Sequence, residues 1–378
     1  MTKKHILVLF GGASSEHEVS LMSAASVLRA MDRSRYEVLA AGITPEGLFE
    51  LYEDQAGINT NHWEGFPYRR FVHDPRRPRL LFSPGDGGVY LQNEGRVQPL
   101  TVDVIFPVLH GPFGEDGRLQ GLLEMCGIPY VGAGVLSSAV AMDKGIAKRL
   151  FHQAGIPQTP HVEIRLDPRQ PAIHEAVNMV ESRLDYPVFV KPANLGSSVG
   201  ISKAVSRDEL ENALRLAAAY DPKVLVEQAV DAREIECAVL GSRNPVVSVP
   251  AEVLPSHDFY DYEDKYFSGT SQTQVPANLT REMTERVQQM ALQVYQLLEC
   301  EGLARVDLFL ERNTDRLLVN EINTMPGFTH ISLYPKMCEA SGIPYSQLIH
   351  RLIEDALEKE SAVAVSPIGC HPAATPTN

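Results

Sequence analysis

The stretch at 304–335, ARVDLFLERNTDRLLVNEINTMPGFTHISLYP, constrains this chain more than any other. Residues 305–310 and 317–323 are apolar-rich runs of strand length, and the polar segment 311–316 between them carries turn formers. That pattern predicts an antiparallel hairpin. A turn centred on Thr314 sets Asp307 opposite Glu321 and Arg305 opposite Asn323. Side chains alternate along a strand, so these four share one face. Val306, Leu308, Leu310, Leu318 and Ile322 are then expected on the other face, against a core.

Two carboxylates, an amide oxygen and a guanidinium on one sheet face are costly without a partner. Asp307, Glu321 and Asn323 are hard oxygen donors, the kind Mg²⁺ takes while it also holds a nucleotide's phosphates. Arg305 beside them can neutralise charge on a transferring phosphoryl group. An exposed, salt-bridged hairpin face is the plainer alternative. The metal reading is preferred because an asparagine adds nothing to a salt bridge but is a good ligand.

With 378 residues the chain exceeds one ordinary core and calls for two or three domains. Its five cysteines are scattered without a CxxC pair, which argues against a disulfide framework or a zinc site and for a reducing, cytoplasmic compartment. A net charge of −14 disfavours a nucleic-acid partner. No apolar run reaches membrane-spanning length, and the one near the N-terminus is too short for a signal peptide.

Residues 1–130 alternate strand and helix signals, the start of a doubly wound α/β domain. A buried-type strand at 5–10 runs through a small-residue turn, GGASS, into an amphipathic helix at 16–31. Residues 52–98 are polar, proline-rich and poorly periodic, and read as an excursion over the surface. Glu16 and Glu18 either favour the positive end of the helix dipole or contact a ligand. HGPFGEDG follows a strand, where α/β folds place ligands. His110 there is a ligand contact or a satisfied loop histidine, and Glu115–Asp116 contact a ligand or cap the next helix.

Further on, a strand ending in Lys191 opens the loop ANLGSSVG, whose backbone N–H groups and hydroxyls can wrap a triphosphate around the lysine's charge. Glu227, at the end of VLVE, accepts from an adenine amino group or is a surface acid. Residues 257–276 are aromatic and charged, and read as a lid that orders over a ligand. The Ala/Pro-rich tail from Ser361 is expected to be disordered.

Together, GGASSEHEVSL, HGPFGEDG, MDK, KPANLGSSVG, REIECAVLG, FYDYEDKY, ARVDLFL and NEINTMPGFT mark a chain that resembles the bacterial D-alanine–D-alanine ligase family of the ATP-grasp superfamily. The resemblance covers residues 3–358 and implies an N-terminal α/β domain at 1–140, a central ATP-grasp lid domain at 141–232 and a C-terminal catalytic domain at 233–360. It places Lys144 and Lys191 at the ATP phosphates, with Ser197 and Ser198 in the phosphate loop and Lys265 approaching ATP from the lid. Glu227 and the main chain of Gln228, Ala229 and Val230 would hold adenine, and Glu234 the ribose. Asp307, Glu321 and Asn323 would bind two Mg²⁺ or Mn²⁺ ions.

By the same resemblance, Glu16 would hold the ammonium of the first D-alanine, latched to the lid through Ser197 and Tyr266. His110 would lie near the first substrate's carboxylate. Arg305 and the Gly327 N–H would stabilise an oxyanion, and the N–H groups of Ser332 and Leu333 would take the second carboxylate. The implied reaction joins two D-alanines through an acyl phosphate, for peptidoglycan and hence cell-wall and cell-shape maintenance, in a cytoplasmic homodimer. Two other classes compete: a carboxylate–amine ligase for a different amino or hydroxy acid, and a nucleotide-binding protein without ligase activity. The metal trio with Arg305 argues against the latter.

Overall fold

The computed structural model describes residues 2–60, 66, 70–85, 88–167, 169, 171–196, 198–254 and 272–363. The first strand, Lys4–Gly11, is apolar almost throughout because both its faces are covered. Ile6, Val8 and Phe10 share a core with Leu21, Ala24 and Leu28 of helix His17–Ala30. Leu7 and Leu9 pack on the opposite side with Leu119 and Leu123 of helix Arg118–Met125. This strand pairs in parallel with Tyr36–Ile43 and Val104–Pro107, giving the expected α/β arrangement.

The sheet does not stop there. Phe49–Leu51, Arg79–Ser83, Gly88–Asn93 and Arg96–Leu100 extend it antiparallel on the far side of Tyr36–Ile43, making seven strands. From Arg79 onward, the segment expected to wander over the surface is therefore largely sheet. Its outer strands bury little: Arg96–Val97–Gln98–Pro99 are all exposed. An edge strand with a proline and no buried face carries no two-residue apolar period to read.

A second sheet of four antiparallel strands runs in the order Ser202–Ala204, Val188–Pro192, Lys223–Gln228 and His161–Arg165. Val188, Val190, Val224 and Val226 point into a core roofed by helices Ile173–Glu181 and Arg207–Tyr220. Strict alternation sends Phe189, Lys191 and Glu227 to the opposite face.

The third sheet centres on Ala232–Leu240, flanked by Ala251–Leu254 and by the hairpin Leu303–Glu311/Leu317–Asn323. Helix Arg281–Leu297 covers its apolar face through Val287, Ala291 and Val294. Arg305 pairs with Asn323 and Asp307 with Glu321, as expected. Beyond them a β-bulge intervenes: Leu308 pairs with Val319, so Asn320 is an extra residue, and the turn closes with Leu310 opposite Leu317. The bulge corrects one assignment of face. Leu317 and Val319 join Val306, Leu308, Leu310 and Ile322 beneath the helix, whereas Leu318, buried as expected, pairs with Phe309 on the other face.

Candidate active site

The polar faces of the second and third sheets enclose a cavity of about 410 Å³, a size that suits a small-molecule ligand. Its walls include Lys144, Lys191, Ser198, Glu227, Gln228, Ala229, Val230, Glu234 and Glu321, all named from the sequence, and also Phe309, Arg312 and Asn320. Ser197, Lys265 and Tyr266 lie outside the described residues.

Lys144 is the first residue of helix Lys144–Gln153, which the Asp143 side chain caps by accepting from the Ile146 N–H. Its ammonium donates to the Leu195 carbonyl at 2.7 Å and sits 3.3 Å from Glu321 Oε2. One lysine thus ties the glycine–serine loop to the hairpin. Ser198 in that loop has φ of 60°, a left-handed conformation uncommon for a non-glycine residue.

On the floor, Asp307 receives two hydrogen bonds from Arg305, Nε to Oδ1 at 2.7 Å and Nη2 to Oδ2 at 2.6 Å, and one from Asn323 Nδ2 at 3.0 Å. The neighbouring strand places Glu236 directly opposite Asp307, with Oε2 3.0 Å from Arg305 Nε. Burial alone would lower the Arg305 pKa; the carboxylates of Asp307 and Glu236 outweigh it and drive it well up. Glu236, Asp307 and Glu321 therefore form a row of acids across three adjacent strands. Sequence reasoning missed Glu236. REIEC hinted at it, because Glu234 and Glu236 share a face, but the pairing of that strand with 303–311 is not local information.

The residues that the resemblance assigns to the first substrate gather beside this floor. Glu16 is buried, and Gly111 and Gly196 crowd its carboxylate: a Cβ at Gly111 would lie 2.4 Å from Glu16 Oε2, and one at Gly196 3.1 Å. The turn before Glu16 is pinned to the 109–117 loop by Ser14 Oγ, which donates to the His110 carbonyl at 2.7 Å. His110 is buried, its Nδ1 donating to the Met325 carbonyl at 2.9 Å and its Nε2 3.0 Å from Ser23 Oγ. Burial holds the His110 pKa below that of a free imidazole, and both ring nitrogens lie against the scaffold.

Glu115 does not cap the helix after it. Its Oε1 accepts from the Gly111 N–H at 2.9 Å and its Oε2 from the Met325 N–H at 3.1 Å, binding two loops together. The neighbouring Asp116 provides the local turn, accepting from Phe113 and Arg118 N–H groups. A Cβ at Gly327 would lie 3.2 Å from Ser332 Oγ, so the chain folds closely back on itself. Ser332 ends that loop and precedes helix Leu333–Ala340, whose first N–H groups lack helical partners.

This geometry has counterparts. Residues 5–133 match the family model "D-ala D-ala ligase N-terminus" and residues 150–354 match "D-ala D-ala ligase C-terminus". The chain is 49% identical over 359 residues to a D-alanine–D-alanine ligase of Caldicellulosiruptor bescii, covering 95% of this chain and 96% of that protein. It belongs to the D-alanine–D-alanine ligase family.

A second ligase of the same name, from Thermoanaerobacter sp. (strain X514), is 48% identical over 96% of this chain and 98% of its own. Among solved structures, the D-alanine–D-alanine ligase from Coxiella burnetii superposes with a TM-score of 0.82 at 34% identity, covering 97% of both chains. The VanG D-Ala:D-Ser ligase from Enterococcus faecalis gives 0.80 at 36%, covering 94% of this chain and 100% of that one. This ligase is accordingly an ATP-grasp enzyme that joins two D-alanines into D-alanyl-D-alanine. Among its described residues, no helix is long and apolar enough to cross a membrane.

Proposed function

We propose that the enzyme activates the first D-alanine by phosphorylating its carboxylate with ATP. A bare carboxylate is a poor acyl donor because its leaving group is oxide. Attack on the γ-phosphorus forms an O–P bond as the bridging bond to the β-phosphate breaks, releasing ADP. The neutral amine of a second D-alanine then attacks the acyl carbon; the nitrogen loses a proton and the carbon–oxygen bond to phosphate breaks. The observation carrying this reading is the Lys144 ammonium, which reaches the loop carbonyl of Leu195 and the hairpin carboxylate of Glu321 together. A nucleotide in the cavity has its phosphate end at that junction, beside the acid it activates.

Within this reading Lys191 and the 194–200 loop hold phosphates, the 227–230 strand end holds adenine and Glu234 the ribose. Glu16 takes the first ammonium, while Ser332 and Leu333 N–H groups take the second carboxylate. Arg305 and the Gly327 N–H stabilise the oxyanion of the tetrahedral intermediate. His110 lies near the first substrate's carboxylate and also fixes Met325 and Ser23 in place.

Asp307, Glu321 and Asn323 fit two Mg²⁺ or Mn²⁺ ions by chemistry: all three offer hard oxygens on one face. Among the described residues, no three Asp, Glu, His or Cys side chains are grouped as a complete cage. In this reading the ions would take phosphate oxygens as their remaining ligands. Such ions would neutralise charge on the transferred phosphoryl group. Tyr266 completes a lid latch with Ser197 and Glu16 and selects D-alanine over a hydroxy acid in the second site. Domains at 1–140, 141–232 and 233–360, a cytoplasmic homodimer and a role in peptidoglycan precursor supply complete the reading.

Phosphate release from ATP tests it, with D-alanine, L-alanine, D-serine or D-lactate as acceptor. Release with ATP and D-alanine alone, matched by dipeptide, is the expected result. Dipeptide formed without ADP would sink the phosphorylation step.

A further inference from the structure

Lys148 lies one helical turn beyond Lys144, at the i+4 spacing that puts both on one helix face. It is among the most deeply buried side chains of the molecule, 1% exposed. Its ammonium meets Glu227 Oε1 at 2.7 Å and Thr159 Oγ1 at 3.1 Å. The other oxygen of Glu227 holds Lys191 at 2.5 Å, and Lys191 in turn reaches Asn320 Oδ1 at 3.5 Å. Lys191 and Glu227 line the nucleotide cavity, and Lys148 stands behind them without lining it.

Resting on the ATP reading above, we propose that Lys148 is a positioning residue: it keeps the buried Glu227 carboxylate paired when Lys191 turns to the phosphates. Two cations share one buried anion here, so the cluster has a surplus positive charge that a phosphate can use. Without Lys148, Lys191 and Glu227 would be a closed, neutral pair. Drawing Lys191 toward a nucleotide would then strand a buried carboxylate, and the carboxylate would compete with phosphate for the ammonium. Thr159 holds Lys148 on the Glu227 side, and Asn320, brought to the cavity by the bulge, gives Lys191 a neutral second contact. Burial lowers the Lys148 pKa despite Glu227, whereas Lys191, though buried, is raised by Glu227 and Glu321. Burial would push Glu227 up, but the two ammonium groups hold it well below the usual carboxylate range.

The test uses the full-length enzyme and two probes, ATP and adenosine, which lacks the phosphates Lys191 would bind. Lys148→Met is expected to weaken ATP binding and raise its KM by about tenfold or more, leaving adenosine affinity and the D-alanine KM within about twofold. Lys148→Arg, which keeps the charge, should recover most of the loss. Because Glu227 also meets adenine in this reading, adding Glu227→Gln to Lys148→Met is read as the ratio of ATP to adenosine affinity, which should rise at least about threefold relative to Lys148→Met alone once the anion that traps Lys191 is gone. Unchanged ATP affinity in Lys148→Met, or equal losses for ATP and adenosine, overturns the proposal. If that variant does not fold, Thr159→Val carries the test, with a loss of about two- to fivefold for ATP only. An equal change for both probes, or none, is then the refuting result. A parent enzyme that bound ATP no better than adenosine would instead overturn the ATP reading itself.

Discussion

Glu236 and Asp307 face each other on adjacent strands and grip the same guanidinium, Arg305, from two sides. Asp307 is also one of the proposed metal ligands, so Arg305 and a cation compete for it. Glu236 resolves the competition by giving Arg305 a second counter-charge. Glu236→Gln is therefore expected to lower kcat by about tenfold and to raise the Mg²⁺ or Mn²⁺ concentration needed for half-maximal rate, as Arg305 falls back on Asp307. A metal titration of the steady-state rate checks it; an unshifted titration curve refutes the shared-ligand account.

Glu321→Gln should leave the fold intact and remove turnover, because a proposed metal ligand is lost where phosphoryl charge develops. Glu321 is only partly buried on a face already polar, and Lys144 retains its bond to the Leu195 carbonyl. Circular dichroism and thermal unfolding should stay near those of the parent while phosphate release falls by about a thousandfold. Near-normal release would rule Glu321 out as a ligand.

The hairpin shows how much of such a site a sequence holds. Alternation and turn chemistry were enough to set Asp307 opposite Glu321 and Arg305 opposite Asn323. They could not reveal that the turn is one residue tighter and that Asn320 bulges out to restore the register at the site. The consequence is a change of face for three residues: Leu317 and Val319 turn to the helix-covered core and Leu318, also buried, turns to the other side. Lys148 and Glu236 were invisible for a related reason: each matters through a partner, Glu227 or Asp307, from a distant segment. The outer strands at 79–100 were missed because they cover little apolar surface, the quantity that periodicity reports.

Gly111→Ala probes the proposed first-substrate pocket. The residue has φ of 75°, and a Cβ would meet Glu16 Oε2 at 2.4 Å. Backbone strain of about 1–3 kcal/mol is the expected cost to stability. Because the displaced atom belongs to the proposed ammonium holder, the KM for the first D-alanine should rise by about tenfold while ATP affinity holds. Isothermal titration with ATP alongside D-alanine kinetics separates the two. A variant that lost ATP and D-alanine together would point to general disruption.

Glu115 offers a pH signature. Burial, reinforced by the charge of Glu16, pushes its carboxyl up to about 8, with the N–H groups of Gly111 and Met325 and the Lys144 ammonium opposing. In the unfolded chain the same group titrates near 4.5, the ordinary value for a glutamate. Between those values the folded protein holds a proton that the unfolded chain has released, so this group's contribution to stability falls as pH rises and levels off above about 8. Glu115→Gln keeps an acceptor for one loop N–H and cannot ionise. Its stability relative to the parent should therefore improve steadily from pH 5 to pH 8.5, by at most about 1.4 kcal/mol per pH unit. Urea unfolding of both proteins across that range gives the difference directly, and a difference independent of pH would show that Glu115 is ionised in the folded state throughout.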